Sequence, residues 1–207
     1  MQYPLLLPPW IWLLRFRHRC GYGVHSPYAF EFITGVIYEK GAYYAYRELD
    51  RQLPWYARTP HWLPWPFRAV CLRPQRILHL LFRLANFSEA REILALGMEE
   101  LPYTYMKAAL PRARWHTEMK EGGTYGLVYI GGKDEKTGKT RGECSPKTET
   151  LAIPSAPLVI IDRLRHHKTL FEALKADKET ILTFDLYDVG IVMRQMPLNR
   201  MDYIVNF

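Results

Sequence analysis

The chain has 207 residues, a formal net charge of +7 and 48% hydrophobic content, which suits one cored domain with an appendage. Its three cysteines, Cys20, Cys71 and Cys144, lie far apart and form no C-x-x-C pair. That excludes a zinc ribbon or a disulfide framework, leaves no metal site to assign, and reads as the reduced thiols of a cytoplasmic protein.

The first segment, Met1 to Leu14, is uncharged and rich in Leu and Trp. It falls short of the roughly 20 residues that a membrane span needs, and Pro8-Pro9 interrupts it. Its cations follow the apolar run rather than precede it, so it does not read as a secretory signal. The arm is expected to pack on the chain's own core or on a second copy, giving a homodimer through the N-terminal layer; an interfacial anchor is the alternative.

Arg15 to Tyr28 is a basic loop with two glycines, and Ser26-Pro27 reads as a helix cap followed by the first helical position. Tyr28 to Glu39 carries apolar residues at helical spacing and Gly41 ends it; Tyr43 to Leu53 is a second helix. Pro54 to Pro66, with four prolines and three tryptophans, is a rigid loop. Arg76 to Ala85 is amphipathic, with Ile77, Leu80, Leu81 and Leu84 on one face. Residues 1–85 therefore read as a helical layer, and 86–207 as a separate α/β domain.

The layer also holds the charge. Residues 1–83 contain 11 Lys and Arg against 4 Asp and Glu, whereas 84–207 are balanced at 17 against 17. Ten of those eleven cations are arginine, and five of the six tryptophans lie there too. The pattern fits arginines lying on aromatic faces within a helical layer, contacts to nucleic acid, or a charged small substrate.

Ile93 to Leu96 is a short continuous apolar run, as a strand covered on both faces requires, and Gly97 permits a sharp exit. Glu99 and Glu100 favour a helix N-terminus, Pro102 suits the first helical position, and Pro111 stops the helix after Leu110. This is the entrance to a nucleotide-binding α/β unit without its glycines. A dinucleotide or S-adenosyl loop needs two or three, because a Cβ blocks the ligand from the backbone N–H groups. Met98, Glu99, Glu100, Leu101 and Pro102 follow instead, and their carboxylates would repel phosphates.

Ala113 to Met119 reads as a short strand ending near Glu118, and Gly126 to Ile130 as a buried strand. The loop Gly131 to Thr150 looks like a phosphate loop but fails on spacing: five residues separate Gly132 from Gly138 where a P-loop has four. Pro157 to Asp162 is the strongest strand pattern in the chain, and Leu164 to Asp177 a helix with Leu170, Phe171 and Leu174 inward. Ile181 to Leu186 and Ile191 to Arg194 form a hairpin, and Asp202 to Phe207 adds a last strand. Asp162 sits at the strand edge where such folds bind ligands, but Arg163, Arg165, His166 and His167 beside it favour an ion pair or a cap over a metal. His25 and Ser26 have no third partner for nucleophilic catalysis, so no catalytic residue is assigned.

Several segments together resemble bacterial class I S-adenosylmethionine-dependent methyltransferases of the small O-methyltransferase-like kind. They are Arg17 to Phe30 (with Gly-Val-His-Ser-Pro), Tyr43-Tyr-Ala-Tyr46, Glu92 to Gly97, Leu158 to Asp162 and Phe184 to Val192. The resemblance implies a truncated Rossmann-like sheet, mostly parallel with an antiparallel C-terminal hairpin, behind the helical layer. It implies S-adenosylmethionine as cofactor, with Gly97, Glu118 and Asp162 toward it and Arg19, His25 and Tyr44 toward the methyl acceptor. The departures are specific. The family's acid two residues before the glycine is Ala95 here, its acid after the fourth strand is Gly131, and the second of its paired acids is Arg163. Only 28 residues separate Gly97 from the strand at 126–130, where the family fits two further helices and another strand. The expectation is a degenerate methyltransferase-like chain, with a non-catalytic binding or assembly module as the alternative.

Overall fold

The computed structural model describes residues 14–15, 18, 24–53, 73–120, 122–131 and 153–207, with backbone alone at 73–74. The arm 1–13, Arg19, the three cysteines, the Pro54–Pro66 loop and the phosphate-like loop beyond Gly131 lie outside the described residues. Chain contacts divide the molecule into two compact units.

The first unit, the described residues of 90–99 and 112–203, carries the strands. They are β1 (Glu92–Leu96), β2 (Arg114–His116), β3 (Leu127–Ile130), β4 (Leu158–Asp162), β5 (Thr180–Asp185), β6 (Val189–Arg194) and β7 (Met201–Ile204), whose last residue falls in the other unit. They form one seven-stranded sheet in the order β2-β1-β3-β4-β6-β5-β7. The β2–β1, β1–β3 and β3–β4 pairs are parallel; β6 is antiparallel to both β4 and β5. The chain is thus α/β, as the alternation of apolar runs predicts.

β3, β4 and β6 are buried along their whole length. One cluster joins Leu94, Val128, Val159, Ile161 and Val192 to Leu164, Phe171 and Leu174. Phe171 and Leu174 come from helix Lys168–Ala176, which follows a 3-10 turn at Leu164–His166. The single helix expected over 164–177 is therefore split, because Arg163 enters the left-handed region at φ 53 and forces a tight turn first.

The second unit is helical. It contains α1 (Pro27–Phe32), a π turn (Ile33–Ile37), α2 (Tyr46–Gln52), α3 (Arg73–Ser88) and α4 (Glu100–Ala109), with the chain end 204–207. The Ser26 cap is present: its Oγ accepts from the Ala29 N–H at 3.4 Å, and Pro27 is the first helical residue. α1 gives way to the π turn where a longer helix was expected. The carbonyls of Val36 and Ile37 accept from the buried Arg83 guanidinium at 2.7 and 2.9 Å, so the irregular end is satisfied by a side chain of α3. α3 buries Ile77, Leu78, Leu80, Leu81, Phe82, Leu84 and Ala85. α4 begins at Glu100, placing Pro102 third rather than first, still within the turn where a missing N–H costs nothing. Among the described residues no helix is long and apolar enough to cross a membrane.

Candidate functional site

In the sheet unit, β2 lies on one side of β1 and β3 on the other, so the strand order reverses between β1 and β3. Open α/β sheets bind ligands in the crevice beyond the carboxyl ends of the strands at such a point. Gly97 closes β1 there, with φ 61. Gly131 closes β3, and its N–H donates to the Leu96 carbonyl at 2.8 Å. A Cβ on Gly131 would collide with the Gly97 carbonyl oxygen. The two main chains therefore touch at the position where a crevice would open. None of the described residues in 117–126, the crossover from β2 to β3, is helical.

Asp162 ends β4 on the same edge and is 3% exposed. Its Oδ2 accepts from the Tyr129 hydroxyl at 2.6 Å, and its Oδ1 accepts from the Arg163 N–H at 2.8 Å. The latter bond anchors the left-handed residue, a conformation that costs a side-chain-bearing residue about 1–2 kcal/mol. The Arg163 guanidinium donates to the Glu99 carboxylate. Burial pushes the Tyr129 hydroxyl well above its ordinary value, and the charge of Asp162 and the bond to it push the same way. Tyr129 is thus a neutral donor, and both carboxylates of the edge, Asp162 and Glu99, are engaged by the protein's own groups.

His167 completes the edge. Its ring hydrogen-bonds the Gly131 backbone. Burial, then the charge of His166, lowers its pKa, partly offset by that backbone bond, with Arg163 lowering it further. Its Nε2 is buried and has no partner among the described residues.

Of the residues singled out from sequence, Gly97 and Asp162 fall on this one edge. Glu118 is exposed, two residues beyond β2. His25 and Tyr44 belong to the helical unit; His25 is exposed and Tyr44 is 89% exposed. At Asp162, where an ion pair or a cap was expected, the carboxylate accepts from Tyr129 and from the Arg163 N–H, and the Arg163 guanidinium pairs with Glu99. Sequence reasoning did not find Tyr129, whose only sign was a polar tip inside an apolar strand. Among the described residues no group of three or more His, Cys, Asp or Glu could hold a metal ion.

A second polar centre lies in the helical unit. Asp50 on α2 accepts from Gln75 Nε2 at 2.8 Å, from the Tyr105 hydroxyl at 2.7 Å, and pairs with His79 Nε2 at 2.9 Å. One carboxylate thus ties α2 to α3 and α4. Tyr46 stacks on the His79 ring, with centroids 3.9 Å apart.

The chain matches no family model and no curated protein.

Proposed function

We propose that this chain is a degenerate S-adenosylmethionine-dependent methyltransferase-like protein whose cofactor crevice is filled by its own groups, and that it works as a non-catalytic binding module. The observation that carries the reading is the contact at the strand reversal, where the Gly131 main chain stands against Gly97. An adenosyl group needs unobstructed backbone N–H groups after β1. Here Gly131 bonds the Leu96 carbonyl and Glu99, in the loop that would hold the ligand, is bound to Arg163. The sheet, parallel in its first half with a reversed hairpin, supports descent from a Rossmann-like methyltransferase. The substitutions at Ala95, Gly131 and Arg163 support the loss of the cofactor.

Thermal melting of the full chain with S-adenosylmethionine or S-adenosylhomocysteine tests this. A ligand at 100 times its dissociation constant stabilises by about 2.7 kcal/mol, a shift of several degrees. The expected result is no shift at millimolar ligand; a saturable rise with either compound rejects the reading.

A further inference from the structure

Three groups on the closed edge define a ligand of a different class. Arg163, 8% exposed at its side chain, holds the Glu99 carboxylate. A guanidinium fork matches a carboxylate through two parallel N–H bonds, so this arginine already uses an internal carboxylate as its ligand. Glu99 is well placed to yield: its side chain is 29% exposed and it lies in the loop between β1 and α4. His167 offers the second contact. Its ring bonds the Gly131 backbone, and its buried Nε2 has no partner among the described residues, which makes that nitrogen an acceptor when the other one donates the bond. Such an acceptor calls for a hydroxyl or amine proton. Arg163 and His166 both bias His167 against further positive charge, so a hydroxyl fits better than an ammonium.

We propose that Glu99 is a displaceable internal ligand and that this edge binds a small monocarboxylate bearing a hydroxyl group. The ligand's carboxylate replaces Glu99 on Arg163, and its hydroxyl donates to His167 Nε2. A phosphate dianion suits the site poorly, because the buried Asp162 carboxylate is bonded to the backbone N–H of the same arginine. The inference rests on the reading that the adenosyl crevice is closed, since an adenosyl group would compete for the same edge.

The test is titration of the full chain with glycolate, acetate and inorganic phosphate at constant ionic strength, followed by NMR of the Arg163 and His167 side chains. Saturable glycolate binding is expected, tighter by about tenfold in Glu99→Gln, where the internal competitor has lost its charge. Acetate should bind more weakly than glycolate, and His167→Phe should erase that difference. Arg163→Gln should abolish binding. Arg163→Lys, which keeps the charge but not the fork, should weaken it and serves if the glutamine variant fails to fold by circular dichroism. Glycolate binding that is absent from wild type and Glu99→Gln, no tighter in Glu99→Gln, retained in full by the Arg163 variants, or matched by phosphate would overturn the proposal. S-adenosylhomocysteine in the same assay separates the two claims. Its saturable binding overturns the closed crevice; a missing glycolate response without it overturns only the present inference.

Discussion

The two units each build around a carboxylate, and they use it differently. In the helical unit Asp50 gathers donors from two other helices, His79 and Gln75 on α3 and Tyr105 on α4. In the sheet unit Asp162 accepts from Tyr129 and from the next N–H along the chain, and Arg163 grips Glu99 across the strand ends. The first carboxylate fastens helices; the second stabilises a turn at the carboxyl ends of the parallel strands. The same residue type is a bracket in one unit and a plug in the other, and what separates them is position relative to the carboxyl ends of parallel strands.

The contrast can be broken or sharpened by substitution. The largest effect is expected from Leu94→Ala in the centre of the sheet core, where the side chain is 0% exposed. A loss of about 2–5 kcal/mol is expected in denaturant titration. Next, the two carboxylates should differ. Asp162→Ala strands the hydroxyl of Tyr129, 1% exposed, and should cost about 3 kcal/mol. Asp50→Ala vacates a side-chain position that is 28% exposed, where water can enter to meet His79, Gln75 and the hydroxyl of the buried Tyr105, and should cost about 1–2 kcal/mol. Equal losses in the two melts would erase the distinction between bracket and plug.

Ser26→Ala should cost about 1 kcal/mol, read as faster hydrogen exchange confined to α1. An effect spread over the whole helical unit would show that the cap matters beyond its own helix.

The smallest expected effect is on pH dependence, and it differs in window between the units. The folded His167 pKa is depressed, chiefly by burial, so the unfolded chain takes up that proton first. Its contribution to stability falls as pH drops below the unfolded histidine value of about 6.5, and levels off below the folded value. Burial raises the Asp50 carboxyl, but the bonds from His79, Tyr105 and Gln75 and the charge of His79 outweigh it, so the folded pKa lies below the ordinary one. Its contribution is present above the unfolded aspartate value of about 3.9 and is lost as pH falls through the folded value. Segment-resolved hydrogen exchange should show the sheet unit loosening near pH 6 and the helical unit only below about pH 4. His167→Phe should remove the former and Asp50→Asn the latter.

Much of the sheet was legible because strands covered on both faces leave a local trace. Ile93 to Leu96, Leu127 to Ile130 and Leu158 to Asp162 are continuous apolar runs, and all three are strands. The amphipathic run at 76–85 lies within α3, and Ser26-Pro27 starts α1. The π turn was not legible: Ile33 to Ile37 has ordinary helical spacing, and its irregularity is satisfied by Arg83, far along the chain. The site was half legible. Gly97 and Asp162 stand at strand ends that the sequence marks, whereas Glu99 meeting Arg163 depends on strand order.

The sequence by itself determined where the chain becomes strand or helix, and which glycines and carboxylates stand at strand ends. Those are matters of spacing, caps and apolar runs, which act over a few residues. Only the tertiary structure decided that β6 enters between β4 and β5, that Gly131 closes on Gly97, and that Arg163 grips Glu99. Such pairings join residues dozens of positions apart, and they are chosen by the packing of whole strands rather than by any local preference.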